Sequence, residues 1–217
     1  MAPGGPRPTL ERERQAWAEK RLLIGVDEAG RGPLAGPVVA AAVVFPFACG
    51  ERGVAGTVTG RRGRMPVAGL RDSKVLPPRQ REKLFPQIQS AALRFAVAAA
   101  SVREIDRINI RRASALAMRR AVLRLLGGTA AAGATAGFLT LDRCTILIDG
   151  LPLPELGLPH HALIDGDAKC CSIAAAGILA KVVRDRLMVR LAARHQGYGW
   201  DTNAGYGTDE HITGITA

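Results

Sequence analysis

Ile24-Gly25-Val26-Asp27-Glu28-Ala29-Gly30-Arg31-Gly32-Pro33-Leu34-Ala35-Gly36-Pro37-Val38-Val39 is the stretch that decides the architecture. Residues 22–26 are short and apolar and run into two acids, the pattern of a buried strand that delivers carboxylates to its end. Gly30, Arg31, Gly32, Pro33 and Gly36 interrupt any regular element, and the valine-rich residues 38–45 predict a second strand. The two strands therefore form a hairpin with a glycine-rich connection. The same loop fits Gly-x-Gly-x-x-Ala, a weak dinucleotide-binding pattern. That pattern must open a helix, whereas here a strand follows, and no Walker-type lysine is present. Neighbouring strand residues face opposite ways, so Asp27 and Glu28 share a site only if the strand ends or bulges between them. The glycines predict that it ends there.

Outward from this hairpin, strands and helices alternate. Residues 1–20 are Pro-rich and then charged, a loose arm leading into a helical turn, and 48–68 form a Gly/Arg-rich surface insertion. Residues 78–91 and 105–126 carry helical patterns on either side of a strand at 93–100. An uncharged Ala-rich linker at 127–137 leads to a strand at 145–148 that ends in Asp149-Gly150. A short strand at 163–164 ends near Asp165 and Asp167. In residues 172–194, Ile173, Ala176, Leu179, Val183 and Leu187 recur at helical spacing. This alternation predicts a single α/β layered domain over 21–217.

Composition sets the outer limits. The chain has 217 residues, 30 Lys+Arg against 19 Asp+Glu, and a formal net charge of +11. A basic balance of this size favours polyanionic partners, because each cation placed on a phosphate releases a counterion. Only five of the basic residues are lysine, a skew that genome composition alone can produce. The longest apolar stretch, 38–47, is far shorter than the roughly 20 residues of a membrane-spanning helix, and it contains Pro46. Glu11, Arg12, Glu13 and Arg14 stand where a secretory signal needs an apolar core, so a cytoplasmic protein without a membrane partner is expected. Cys49, Cys144, Cys170 and Cys171 make neither a ligand knuckle nor a disulfide framework, which suits a reducing compartment.

The acids carry the functional signal. Asp27, Glu28, Asp149 and Asp167 each lie just beyond a predicted apolar strand. A strand-end acid taken alone is most often a turn former. Four of them in a basic chain point to convergence at one sheet edge. Oxygen ligands of this kind suit Mg²⁺ or Mn²⁺, and four carboxylates suffice for two ions acting on a phosphodiester.

These segments resemble the motifs of type 2 ribonucleases H, the ribonuclease HII family. Residues 24–39 resemble its opening motif, and Asp72-Ser73-Lys74 its Asp-Ser-Lys segment. Leu147-Ile148-Asp149-Gly150 and Gly166-Asp167 resemble its later acidic positions, and Gly205-Tyr206-Gly207-Thr208 with His211 its Gly-Tyr-x-Thr-x-x-His stretch. The resemblance covers roughly 20–212. It implies a ribonuclease H-like fold, a central mixed β-sheet flanked by helices. It also implies metal-dependent cleavage of the RNA strand of RNA:DNA hybrids and at single ribonucleotides in duplex DNA, leaving 5′-phosphate and 3′-hydroxyl ends. Carried over, Asp27, Glu28, Asp149 and Asp167 are the catalytic and metal-binding acids. Gly30, Arg31 and Gly32 read the ribose 2′-hydroxyl, Ser73 and Lys74 touch backbone phosphate, and Tyr206 lies against the sugar on the DNA side. A monomer is expected.

Three departures stand out. Gly177 and Asn203-Ala204 replace a serine and a His-Lys pair common in the family, and the chain ends at Ala217, where family members continue through another helix and a basic segment. The C-terminal helical region is accordingly expected to be shortened. A junction-binding protein weakened in catalysis and a metal-dependent DNase on the same scaffold are the alternatives.

Overall fold

The computed structural model describes residues 6–47, 65–127 and 139–217. The strands β1 (Leu22–Ala29), β2 (Val38–Val44), β3 (Arg94–Ala100), β4 (Cys144–Asp149) and β5 (His161–Leu163) form one sheet in the order β3-β2-β1-β4-β5. The first three are antiparallel neighbours, whereas β1, β4 and β5 run parallel, so the sheet is mixed as expected. Side-chain alternation splits the core in two. Ile24, Val26, Ala40 and Ala42 face one way, onto the long helix α3 (Val102–Gly127). Ala41, Val43 and Phe45 face the other way, onto α2 (Pro78–Ala91) and α5 (Cys171–Ala192). α3 is kinked at Asn109, whose φ of 65° lies outside the helical range and whose side chain accepts from the backbone N–H of Arg112. The short helices α4 (Gly166–Lys169), α6 (Trp200–Asn203) and α7 (Asp209–Thr216) complete the fold.

Three expectations need correction. β1 does not stop before its acids: it runs through Asp27 and Glu28 to Ala29, with Asp27 opposite Ala41 and Glu28 opposite Ala40 on an unbroken ladder. Pairing with β2 satisfies the backbone there, so nothing forces an end before the glycines. The arm predicted over 1–20 is docked in its described part. Leu10 and Ala16 are buried, Thr9 bridges to Cys170, and the helix α1 (Glu11–Ala18) sinks Glu13 to 1% exposure. Of the predicted insertion, residues 48–64 lie outside the described residues, but Val67 is core and packs with Leu70 and Leu76, so the tail of that stretch belongs to the domain. The predicted linker likewise falls outside the described residues over 128–137.

Among the described residues no helix is long and apolar enough to cross a membrane. Cys144, Cys170 and Cys171 are buried free thiols, and burial pushes all three up, away from nucleophilic thiolate character.

Candidate active site

Parallel pairing brings two acids together. Val26 is in register with Ile148, so the next residue on each strand, Asp27 and Asp149, leaves the sheet side by side. Asp149 is then fixed from the start of α4, where the Gly166 backbone N–H donates to its Oδ1 at 2.7 Å. One residue further on, in the first turn of α4, stands Asp167. One carboxylate oxygen from each of Asp27, Asp149 and Asp167 lies within 4.8 Å of the other two. Glu28 is outside this group. It follows Asp27 on a continuous strand, approaches Arg31 at 3.6 Å, and lies close enough to Asp149 and Lys74 to feel their charges.

The cluster resists being charged. Burial, then the charges of Glu28 and Asp149, push Asp27 well above the usual carboxylate range, although the Glu28 N–H donates to it at 2.7 Å. Burial and then Asp149 push Asp167 up to about 6. Burial also raises Glu28, while Arg31 opposes the shift. Lys74, from the loop before α2, is the cation that answers these acids. Burial disfavours its charge, yet Asp27, Asp72 and Asp167 together hold its ammonium above its ordinary value. Oxygen-only donors at ligand spacing, buried and mutually repelling, fit a hard divalent cation, which would relieve the repulsion that now raises them.

The remaining sequence-predicted residues surround this centre. Ser73 is buried and Lys74 exposed, and the backbone carbonyl of Ser73 accepts from Arg81 at 3.0 Å. Gly30 packs against the Arg184 side chain. Gly32 faces the ring of Tyr206, whose edge would lie 3.9 Å from a Cβ built at Gly32. The Lys181 ammonium stands 5.7 Å from the centroid of the same ring and pairs with Asp185 at 2.8 Å. Behind Tyr206, His211 is fully buried, with Trp200 Nε1 donating to its Nε2 at 3.0 Å and its Nδ1 2.9 Å from the Tyr206 carbonyl. The tryptophan N–H fixes the tautomer, so Nδ1 carries the proton and donates.

Sequence reasoning passed over two arginines that hold this arrangement. Arg81 anchors the 72–76 loop by donating to the carbonyls of Ser73 and Leu76 and pairing with Asp185 at 3.3 Å. Arg184 is fully buried. The available signal for Arg184 was its place on a stripe of apolar and small residues, Ile173, Gly177, Ala180 and Met188, where a solvated charge does not belong.

A mixed sheet with three acids converging where β1, β4 and α4 meet defines a nuclease of the ribonuclease H-like type. A model of the Ribonuclease HII family matches residues 24–217. The chain is 44% identical to Ribonuclease HII of Acidovorax sp. (strain JS42) over 206 residues, 95% of this chain and 84% of that one. In structure it is similar to ribonuclease H2 of Pyrococcus horikoshii OT3, with a TM-score of 0.60 and 25% identity, covering 88% of this chain and 83% of that one. It also shares its fold with Bst-RNase HIII, solved in complex with Mn²⁺, with a TM-score of 0.58 and 22% identity, covering 85% of this chain and 59% of that one. The chain belongs to the ribonuclease HII family, a divalent-metal-dependent family, and is a hydrolytic endoribonuclease.

Proposed function

We propose that the protein cleaves the RNA strand of RNA:DNA hybrids and the phosphodiester on the 5′ side of single ribonucleotides embedded in duplex DNA, leaving 5′-phosphate and 3′-hydroxyl ends. The observation that carries the reading is the three-acid cluster, whose Asp27 stands on the strand that leads straight into the loop whose Gly32 faces the Tyr206 ring. Asp27, Asp149 and Asp167, with Glu28 adjoining, would hold Mg²⁺ or Mn²⁺, two ions in our reading. Such ions supply a Lewis acid for the phosphate and lower the pKa of bound water.

The protein's own groups do the rest. Asp149 is held by the Gly166 amide and Asp27 by the Glu28 amide, so both carboxylates are preorganised. Lys74 and Arg31 place positive charge on either side of the acids and meet backbone phosphate. Lacking side chains, Gly30 and Gly32 let a sugar approach the loop backbone closely enough for its amides and carbonyls to read a 2′-hydroxyl. Tyr206, 46% exposed, offers a flat face to the sugar beyond the scissile bond.

The test is a labelled DNA duplex containing one ribonucleotide, incubated with Mn²⁺ or Mg²⁺. Cleavage 5′ to the ribonucleotide by the wild type and about 10²- to 10³-fold slower cleavage by Asp27→Asn are expected, the range for loss of a group acting on developing charge. Binding without turnover would support the weakened binder instead, and cutting of an all-DNA duplex the DNase.

A further inference from the structure

Arg184 is a fully buried guanidinium whose hydrogen-bond partners are neutral. Its Nε donates to the Pro37 carbonyl at 3.1 Å and one terminal nitrogen donates to the Ala35 carbonyl at 3.0 Å. The other terminal nitrogen donates to the Ala204 carbonyl at 2.9 Å. No carboxylate lies within ion-pair distance of it among the described residues. Stability alone does not explain this choice, because a buried charge is costly and an apolar side chain of similar volume commonly serves as well. A guanidinium is distinguished by its rigid fork, which can hold several acceptors at fixed mutual angles.

Those acceptors belong to two different segments. Pro37 and Ala35 end the loop that begins at Gly30, and Ala204 opens the turn into Tyr206. The backbone closes the same junction, with the Leu34 and Ala35 N–H groups donating to the Gly205 carbonyl at 2.9 and 3.3 Å. Gly30 has a φ of 104° and rests on the Arg184 side chain, where any Cβ would overlap Nε. Arg184 therefore fixes the distance between the loop proposed to read the ribose and the tyrosine proposed to face the next sugar.

We infer that Arg184 is a positioning residue that couples these two elements and thereby sets selectivity for a ribonucleotide–DNA junction over a continuous hybrid. The inference rests on the function proposed above. At a junction both elements are satisfied at once: the loop meets a ribose and Tyr206 a deoxyribose. On a continuous hybrid Tyr206 meets a sugar that carries a 2′-hydroxyl, so its contact is already imperfect. Selectivity is a difference of transition-state affinities. Loosening the coupling removes more from the substrate that uses both contacts fully.

The experiment compares kcat/KM for wild type, Arg184→Lys and Arg184→Met on a single-ribonucleotide duplex and on a continuous RNA:DNA hybrid of the same length. Melting temperatures are recorded for each protein. Both variants are expected to lose at least about tenfold more on the junction than on the hybrid. In a Tyr206→Ala background Arg184→Lys should leave the ratio of the two substrates unchanged. Equal losses on both substrates, or a ratio that still falls in the Tyr206→Ala background, overturn the inference and leave Arg184 a structural residue. The lysine variant keeps the charge and most of the volume, so it decides the matter should the methionine variant not fold. A wild type that cleaves neither substrate refutes the proposed function itself, a result distinct from junction cleavage with an unchanged ratio.

Discussion

Asp27 sits where a charge is disfavoured: it is buried, next to Glu28 and near Asp149 and Asp167, with its carboxyl pushed well above the ordinary 3.8. Asp167 shifts the same way, up to about 6. A carboxyl raised on folding keeps a proton that the unfolded chain has already released, so metal-free stability falls as pH rises from about 4 through the raised values. Replacing Asp27 by Asn keeps the shape and the acceptor for the Glu28 amide but removes one charge from the cluster. In EDTA, Asp27→Asn is expected to melt roughly 3 °C above wild type at pH 8, with the gap closing toward pH 4. A scan of Tm against pH for the two proteins checks this, and a gap that widened on acidification would contradict it. A second glycine contact belongs to the same scale. A Cβ at Gly177 on α5 would overlap the Asp27 carboxylate, so the helix comes this close to the acid only because that side chain is absent. The acids themselves were legible because residue type and position after an apolar run sufficed to single them out. That the strand carries both Asp27 and Glu28 on an unbroken ladder was not, because the glycines suggested a strand end and only the pairing with β2 keeps the ladder going.

Along α5 the site is assembled one turn at a time. Gly177 makes room for Asp27, Lys181 flanks Tyr206, Arg184 ties two loops, and Asp185 pairs with the arginine that holds the Ser73 loop. The helix must therefore start in the right place, and its start is set from outside. Glu13 of α1 accepts through one oxygen from the Ser172 backbone N–H at 2.7 Å, the Ser172 hydroxyl at 2.8 Å and the Cys170 thiol at 3.3 Å. A carboxylate on the first-turn amides satisfies donors the helix cannot satisfy itself and complements its dipole. Glu13→Ala would leave the Ser172 amide and hydroxyl buried without a partner, at a cost of about 2 kcal/mol. Chemical denaturation should show a lowered midpoint with an unchanged slope, and an unaltered midpoint would mean that the cap does not hold α5. Periodicity revealed α5 and the 78–91 helix almost to the residue, and the valine run gave the second hairpin strand, whereas the first runs three residues past its expected end. The role of α1 was hidden, because Glu11, Arg12, Glu13 and Arg14 look alike as a charged run, and only the packed fold distinguishes the one that is buried.

At the scale of the whole molecule, the net charge of +11 divides into two populations. Arg21, Arg94 and Arg184 spend their donors on neutral oxygens inside the fold, and Arg111, Arg120 and Arg186 are matched by Glu155, Glu104 and Glu82. The excess is thus partly architectural, and composition had no means of showing this. What remains at the site is a small positive rim, Arg31 and Lys74, around a centre whose acids repel phosphate unless metal is bound. Affinity for duplex should accordingly follow counterion release at a few phosphates rather than at eleven. With the Asp27→Asn protein, expected not to cut, and a continuous hybrid, the slope of log K against log[NaCl] is expected to be steeper than about −1.8, the value for two phosphate contacts. Adding Lys74→Ala should make it shallower by about 0.9. Fluorescence anisotropy across a salt series measures both slopes. A slope unchanged by Lys74→Ala would remove Lys74 from the phosphate path and confine its role to balancing Asp27, Asp72 and Asp167.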